Sequence, residues 1–116
     1  MRVLICGDRN WQNEAAIRRE LSKLDPGTVI IHGGARGADT LAGIVAKEIG
    51  LQVEVYPADW NRHGRAAGPI RNQQMIEQGR PDIVLAFHAN IGQSKGTKDM
   101  VERAKKTGIP SRTIEG

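Results

Sequence analysis

The sequence predicts a single α/β domain, residues 1–116, built on a mainly parallel β-sheet. Three observations lead to this fold class. A chain of 116 residues has the length of one domain. Short apolar runs alternate with segments of helical periodicity, as in successive βαβ units. The connections that follow the apolar runs are long and rich in glycine and charge, whereas those that precede them are brief.

The first half of the chain alternates strand, helix, strand and helix. Apolar runs at 3–6 and 28–32 predict the first two strands, and the second contains the continuously apolar Val29-Ile30-Ile31, as is typical of parallel strands buried on both faces. An apolar stripe at i, i+4 and i+7 predicts helices at 12–24 and 38–49, with the stripe residues Ile17, Leu21, Leu24 and Leu41, Val45, Ile49.

The second half continues the alternation with strands at 52–56, 82–87 and 111–114 and helices at 70–78 and 97–107. Glycine follows three of the four helices, where a left-handed residue normally ends a helix: Gly50, Gly79 and Gly108. Pro81 and Pro110 then favour an extended chain leading into the next strand. We therefore expect one compact unit without a linker.

Composition narrows the possible partners. The net charge of +4 suits nucleic acid or a small polyanion equally well, but four large aromatic residues are few for stacking single strands, so we do not expect nucleic acid as the partner. No apolar stretch reaches the ~20 residues of a membrane span, and no signal peptide is recognisable. A lone cysteine, Cys6, favours a cytoplasmic setting. No residue spacing is typical of a metal site, and no cofactor is expected.

The loops that follow the strands predict the binding site. In open α/β sheets, ligands bind beyond the carboxyl ends of the strands. Glycines allow close approach to a phosphate, helix N-termini offer free N–H groups, and Arg36 can add a charge-assisted contact. These loops are residues 7–11, 33–39, 57–68 and 88–96.

Each of these loops also has a purely structural interpretation. The glycines at 33–37 can serve only to turn the chain, and Arg62 and Arg65 can belong to a solvated loop. Asn10 can cap the first helix while Trp11 packs in the core, and Thr97 can cap the last helix. His32 and His88 are interpreted as polar strand-end residues.

Five motifs follow one another along the chain: Gly-Asp-Arg-x-Trp at 7–11, His-Gly-Gly-Ala-x-Gly-Ala-Asp at 32–39, Asp59-Trp60, Gly-Pro-x-Arg-Asn at 68–72 and Gly96-Thr97. Together they resemble the YspA/YpsA-related branch of the SLOG superfamily over nearly the whole chain. The resemblance implies a Rossmann-like three-layer sandwich with a five-stranded, mostly parallel sheet in the order 3-2-1-4-5. It also implies a homo-oligomer and a nucleotide-type ligand.

We accordingly predict a phosphate-containing, nucleotide-derived ligand (ADP-ribose-like, cyclic or a mononucleotide), bound by a sensor or by a phage sponge of a nucleotide signal. The predicted ligand-binding residues are Gly7, Asp8, Arg9, Trp11, Gly33, Gly34, Ala35, Arg36, Gly37, Asp39, Asp59, Trp60, Arg71, Asn72, Gly96 and Thr97.

Two alternatives follow from the same resemblance. LOG phosphoribohydrolases cleave the N-glycosidic bond of nucleotides, and Arg71 matches their catalytic arginine. Their glutamate falls on Met100, with Asp99 one residue early and about 100° away on a helix. Arg71, Asp39 and Asp99 are the catalytic candidates if this chain is an enzyme, but the missing carboxylate favours binding over hydrolysis. The second alternative is DprA-like nucleic-acid binding.

Overall fold

A computed structural model describes residues 1–116. Its five strands form one sheet in which every neighbouring pair is parallel, in the order β3-β2-β1-β4-β5. The strands are β1 (Arg2–Gly7), β2 (Val29–His32), β3 (Gln52–Val55), β4 (Ile83–Phe87) and β5 (Ser111–Ile114). The predicted fold class and strand order are confirmed.

Helices cover both faces of this sheet. The helices α1 (Glu14–Leu21) and α2 (Ala38–Glu48) pack together on one face, and α4 (Ala67–Gly79) and α5 (Gly96–Thr107) pack together on the other. A short helix, α3 (Trp60–His63), and two 3₁₀ turns, Gly64–Ala66 and Ile91–Gln93, lie in the connections. No helix combines the length and hydropathy required to cross a membrane.

The central strand β1 divides the core into two layers because its side chains alternate between the faces. Val3 and Ile5 lie in the layer under α1 and α2, whereas Leu4 and Cys6 lie in the layer under α4 and α5. All four side chains are buried. The sheet therefore forms a rigid platform whose carboxyl edge carries the loops.

Two helix starts differ from the sequence prediction by two residues or more. The first helix begins at Glu14 rather than residue 12 because Asn13 caps it, accepting a hydrogen bond from the Ala16 amide at 3.1 Å. The alternative that Asn10 is the cap is wrong. The helix expected at 70–78 begins three residues earlier, at Ala67, and holds Pro69 in its first turn.

The left-handed helix ends are confirmed at Gly50 (φ +88°) and Gly108 (φ +81°) but not at Gly79. Gly79 is the last residue of α4, and Arg80 adopts the left-handed conformation with φ +48°. Close packing on the sheet explains the glycine, because a Cβ there would lie 3.3 Å from Ile31 Cδ1.

Candidate functional site

A cavity of about 880 Å³ opens at the carboxyl edge of the sheet. All four loops that follow β1 to β4 contribute to its walls, as do the first turns of α4 and α5. The sequence-predicted edge of the sheet is thus the edge at which the structure has its large cavity.

Most of the sequence-predicted ligand residues line this cavity together. The structure places there Gly7, Asp8, Arg9, Gly33, Gly34, Ala35, Arg36, Asp39, Trp60, Arg71, Asn72, Gly96 and Thr97. Asp99, a catalytic candidate, also lies on the wall, although its spacing from the hydrolase glutamate indicated another direction. Arg65 and Lys95 line the cavity too but were not among the predicted residues.

Three predicted ligand residues do not line the cavity. Trp11 is buried in the core, where its ring meets Phe87 edge-to-face with centroids 5.6 Å apart, so the structural alternative is correct for this residue. Asp59 caps α3 by accepting from the Arg62 amide at 3.1 Å. Gly37, with φ +73°, lets the second loop pack against the backbone of Arg9.

The amides of the glycine-rich loop are already occupied. Gly33 and Ala35 donate to Asp39 Oδ2 at 3.0 Å and 3.3 Å, and Gly34 donates to His32 Nδ1 at 2.9 Å. The amides of residues 33–35 are therefore not free donors for a phosphate. Their bonds fix the loop to α2 and β2 instead.

Asp39 is a buried carboxyl group at the floor of the cavity, with 6% of its surface exposed. Burial raises its pKa to about 6, and the two loop amides and the Arg71 guanidinium oppose this rise. Such a group titrates about two pH units above an ordinary aspartate.

Arg71 belongs to α4, and its side chain extends over the glycine-rich loop. Its Nη1 donates to the Gly33 carbonyl at 2.6 Å, and its Nε donates to Asn72 Oδ1 at 3.1 Å. A Cβ on Gly33 would overlap this guanidinium, which explains the glycine. Burial lowers the pKa of Arg71, while Asp39 counteracts this effect. Asp39 thus offsets part of the positive charge of Arg71 near this helix start, through charge attraction rather than a salt bridge.

Both N–H groups of the Asn72 side-chain amide nitrogen are already bonded within the protein. That nitrogen donates to Asp99 Oδ2 at 3.0 Å and to the Gly96 carbonyl at 3.3 Å, and the residue is 5% exposed. Asp99 Oδ2 also accepts from Arg103 Nε at 2.8 Å. Arg103 was missed in the sequence, although its i, i+4 spacing from Asp99 is a recognisable pairing signal. This chain of bonds holds Arg71 and the start of α5 in place.

The start of α5 faces the cavity. Ser94 Oγ accepts from the Thr97 amide at 3.0 Å, so Ser94, and not Thr97, supplies the side-chain oxygen that caps this helix. Met100, at the position of the hydrolase glutamate, is fully buried beneath α5. The helix therefore presents its positive dipole end without a carboxylate at that position.

Four cations around the cavity have no partner within the protein. They are exposed, they form no side-chain hydrogen bond or salt bridge, and each comes from a different loop: Arg9, Arg36, Arg65 and Lys95. The two strand-end histidines are engaged locally, since His32 and His88 each accept a backbone N–H at 2.9 Å through Nδ1. The rim of the cavity therefore carries four cations that no ion pair within the protein neutralises.

Comparisons with known proteins agree with the fold. The model of the family described as YspA, cpYpsA-related SLOG matches residues 1–63. Gene 61 protein of Mycobacterium phage D29 is 40% identical over 118 aligned positions, covering 94% of this chain and 92% of that protein. The structure of DNA processing protein A (DprA) from Streptococcus pneumoniae superimposes with a TM-score of 0.80 at 18% identity, over 99% of this chain. This chain spans half of that protein's length, and the likeness concerns the fold.

Proposed function

The chain belongs to the YspA, cpYpsA-related SLOG family, and from this premise we propose that residues 1–116 are one domain that binds a phosphate-containing, nucleotide-derived small molecule. One observation carries the proposal: four exposed cations from four loops surround a single cavity and have no partner in the protein. An anionic ligand would satisfy them.

The phosphate of this ligand belongs at the rim and the N-terminus of α5. The amides at 33–35 are occupied, and the carboxylate of Asp39 beneath them repels an anion. Arg9, Arg36 and Lys95 offer free donors, and the helix end adds its dipole. Trp60, half of whose surface is exposed, offers a face on which a base can stack.

The ligand is ADP-ribose-like, cyclic or a mononucleotide, and the protein holds it without altering it. Similarity to a phage protein supports a role in which the domain senses or sequesters a nucleotide signal. We also propose that the domain acts as a homo-oligomer, for which the exposed apolar side chains near β3 provide a surface.

Calorimetric titration with AMP, ADP and ADP-ribose tests this function. We expect Arg36→Gln to weaken binding at least ~10-fold, because a charge-assisted hydrogen bond contributes about 1.5–3 kcal/mol. Arg62→Gln is the matched control, since Arg62 is exposed on α3 but does not line the cavity. If none of the three nucleotides binds, or if Arg36→Gln binds like the wild type, the proposed site is wrong. Mass spectrometry of molecules released on denaturation would identify a co-purified ligand.

Hydrolysis of an N-glycosidic bond is the second candidate. The observation in its favour is the buried Asp39, whose pKa near 6 suits an acid or base catalyst, beside Arg71 on the cavity wall. Met100 in place of a glutamate opposes it. Chromatography would detect free base released from nucleoside monophosphates. Release by the wild type that is abolished in Asp39→Asn would show that the function is hydrolysis rather than binding.

Nucleic-acid binding is the third candidate, and the likeness to DNA processing protein A keeps it open. That likeness gives no support to the expectation that nucleic acid is not a partner. A mobility shift of single-stranded DNA at low salt that weakens steeply with added salt would favour this function. Competition between AMP and single-stranded DNA for the wild type and for Arg36→Gln would distinguish nucleic-acid binding from small-molecule binding.

A further inference from the structure

We infer that Asp39 accepts a hydrogen bond from a sugar hydroxyl of the ligand and thereby makes the cavity selective for ribose over deoxyribose. This inference rests on the proposed function, because it assigns one part of the same nucleotide to one residue of the same cavity. It goes further by naming the sugar and the atom that recognises it.

The two oxygens of Asp39 have different surroundings. Oδ2 accepts both loop amides, from Gly33 and Ala35. Oδ1 accepts no hydrogen bond from the protein, although the side chain is nine-tenths buried and lines the cavity. Thr28 Oγ1 is the one buried side-chain polar atom that lacks both a partner and contact with open space, so Asp39 Oδ1 reaches the cavity. A carboxylate oxygen in this position is an acceptor that lacks a donor.

The charges around Asp39 indicate which donor it takes. A phosphate would be repelled by the carboxylate, and a cation would be repelled by the nearby Arg71 and by Arg9, which lowers the pKa of Arg71. No group of three or more histidine, cysteine or acidic side chains forms a cage for a metal ion. A neutral donor remains, such as a hydroxyl group or a base N–H.

The residues that line the cavity favour a hydroxyl group over a base as the partner of Asp39. Trp60 is the one tryptophan, tyrosine or phenylalanine on the cavity wall, and it stands at the exposed rim. Asp39 lies deeper, buried near Cys6, whose thiol pKa is raised by burial and by the charge of Asp39. A nucleotide with its phosphate on the rim cations and its base on Trp60 therefore brings its sugar, which joins the two, over Asp39.

Titration calorimetry with AMP and ADP, each compared with its 2′-deoxy and 3′-deoxy forms, tests the inference. We expect the wild type to bind at least one deoxy form ~10-fold or more weakly, because the carboxylate would be left without its donor. In Asp39→Asn this ratio should fall towards one, since an amide forms a weaker bond to a hydroxyl group than a carboxylate does. Asp25→Asn, whose carboxylate lies in the short loop at the opposite edge of the sheet, should keep the wild-type ratio.

The outcomes separate this inference from the proposed function. Equal binding of the ribose and both deoxy forms by the wild type would overturn the inference and leave nucleotide binding intact. A ratio that persists unchanged in folded Asp39→Asn would assign the selectivity to another group and would also overturn it. Failure of every nucleotide to bind would overturn both.

Discussion

At the scale of single residues, Asp39 and His32 form an opposed pair beneath the glycine loop. Burial raises the pKa of Asp39 to about 6 and, together with Lys47 and Arg71, lowers the pKa of His32 to about 4. Both residues are thus driven towards their neutral forms. Because Asp39 holds the loop amides of Gly33 and Ala35 while His32 holds that of Gly34, the same loop depends on two groups of opposite charge type.

The two residues should give opposite pH dependences of stability. A raised carboxyl pKa makes the free energy of unfolding decrease as pH rises from about 4 to 6, whereas a lowered histidine pKa makes it increase from about 4 to 6.5. Each shift corresponds to about 3 kcal/mol. Their effects nearly cancel in the wild type.

Urea unfolding of single variants between pH 4 and 7 separates the two effects. Relative to the wild type, Asp39→Asn should gain stability as pH rises, and His32→Asn, which keeps an acceptor for the Gly34 amide, should lose it. Differences from the wild type remove the contributions of the other titrating groups. Parallel curves for the three proteins would contradict the assignment.

Gly33 determines where Arg71 can lie. A Cβ at residue 33 would overlap the guanidinium, so Gly33→Ala should displace Arg71 from the cavity wall and weaken AMP binding ~10-fold or more. The arginine is the flexible partner and can move, so we expect the loss of unfolding free energy to stay within about 1–3 kcal/mol. Gly27→Ala is the control, since nothing lies within 4 Å of its added Cβ. Equal AMP affinity in both variants would contradict a role for the Arg71 position.

At the scale of secondary structure elements, the end of α4 has glycine as its last helical residue and arginine as the left-handed residue after it, an exchange of the usual order. Gly79 is helical and packs close to Ile31, whereas Arg80 takes the left-handed conformation that glycine favours. The left-handed region costs a residue with a Cβ about 1 kcal/mol or more. The end of α4 is therefore strained at Arg80, while Gly79 packs closely on the sheet at Ile31.

Single substitutions should reveal this exchange. Arg80→Gly should raise the free energy of unfolding by about 0.5–1 kcal/mol through relief of the positive φ. Gly79→Ala should lower it, because the new methyl group presses on Ile31 at 3.3 Å. Urea unfolding at one pH measures both. Stabilisation by Gly79→Ala would show that the contact with Ile31 is not limiting.

The same helix end illustrates what sequence patterns can and cannot predict. Short apolar runs between helical segments predicted every strand of the sheet, most clearly β1, β2 and β4, because burial on both faces leaves a continuous apolar signature. The edge strands β3 and β5 are more exposed and have weaker runs. Helix ends were less predictable, because Asn13 and Asn10 are equally good caps by residue type and tertiary packing selects between them. At Gly79, the reason for the glycine is a neighbour 48 residues earlier in the chain, which no local pattern reveals.

At the scale of the whole molecule, the parallel sheet made the location of the site predictable. Every loop that follows a strand of such a sheet reaches one edge, so Arg9, Arg36 and Arg71 had to approach each other. Their bonding was not predictable. The Asn72 amide is bonded within the protein because Gly96 and Asp99, in the first turn of α5, lie beside it. No local sequence pattern indicates this contact. Sequence alone located the cavity but did not distinguish free donors from occupied ones.

The exposed apolar side chains of the whole molecule predict that copies of it assemble. Large apolar side chains are about half exposed at the end of β3 and the start of α4, at Val55 and Ile70. An edge strand flanked by exposed apolar groups is a surface that proteins commonly cover. We expect light scattering to give a mass of at least twice the 12.7 kDa of one chain. Val55→Lys combined with Ile70→Glu should yield the monomer, whereas Thr113→Lys, on the opposite edge strand β5, should not. A monomeric wild type would refute the proposed homo-oligomer, and an unchanged mass in the double variant would place its interface elsewhere.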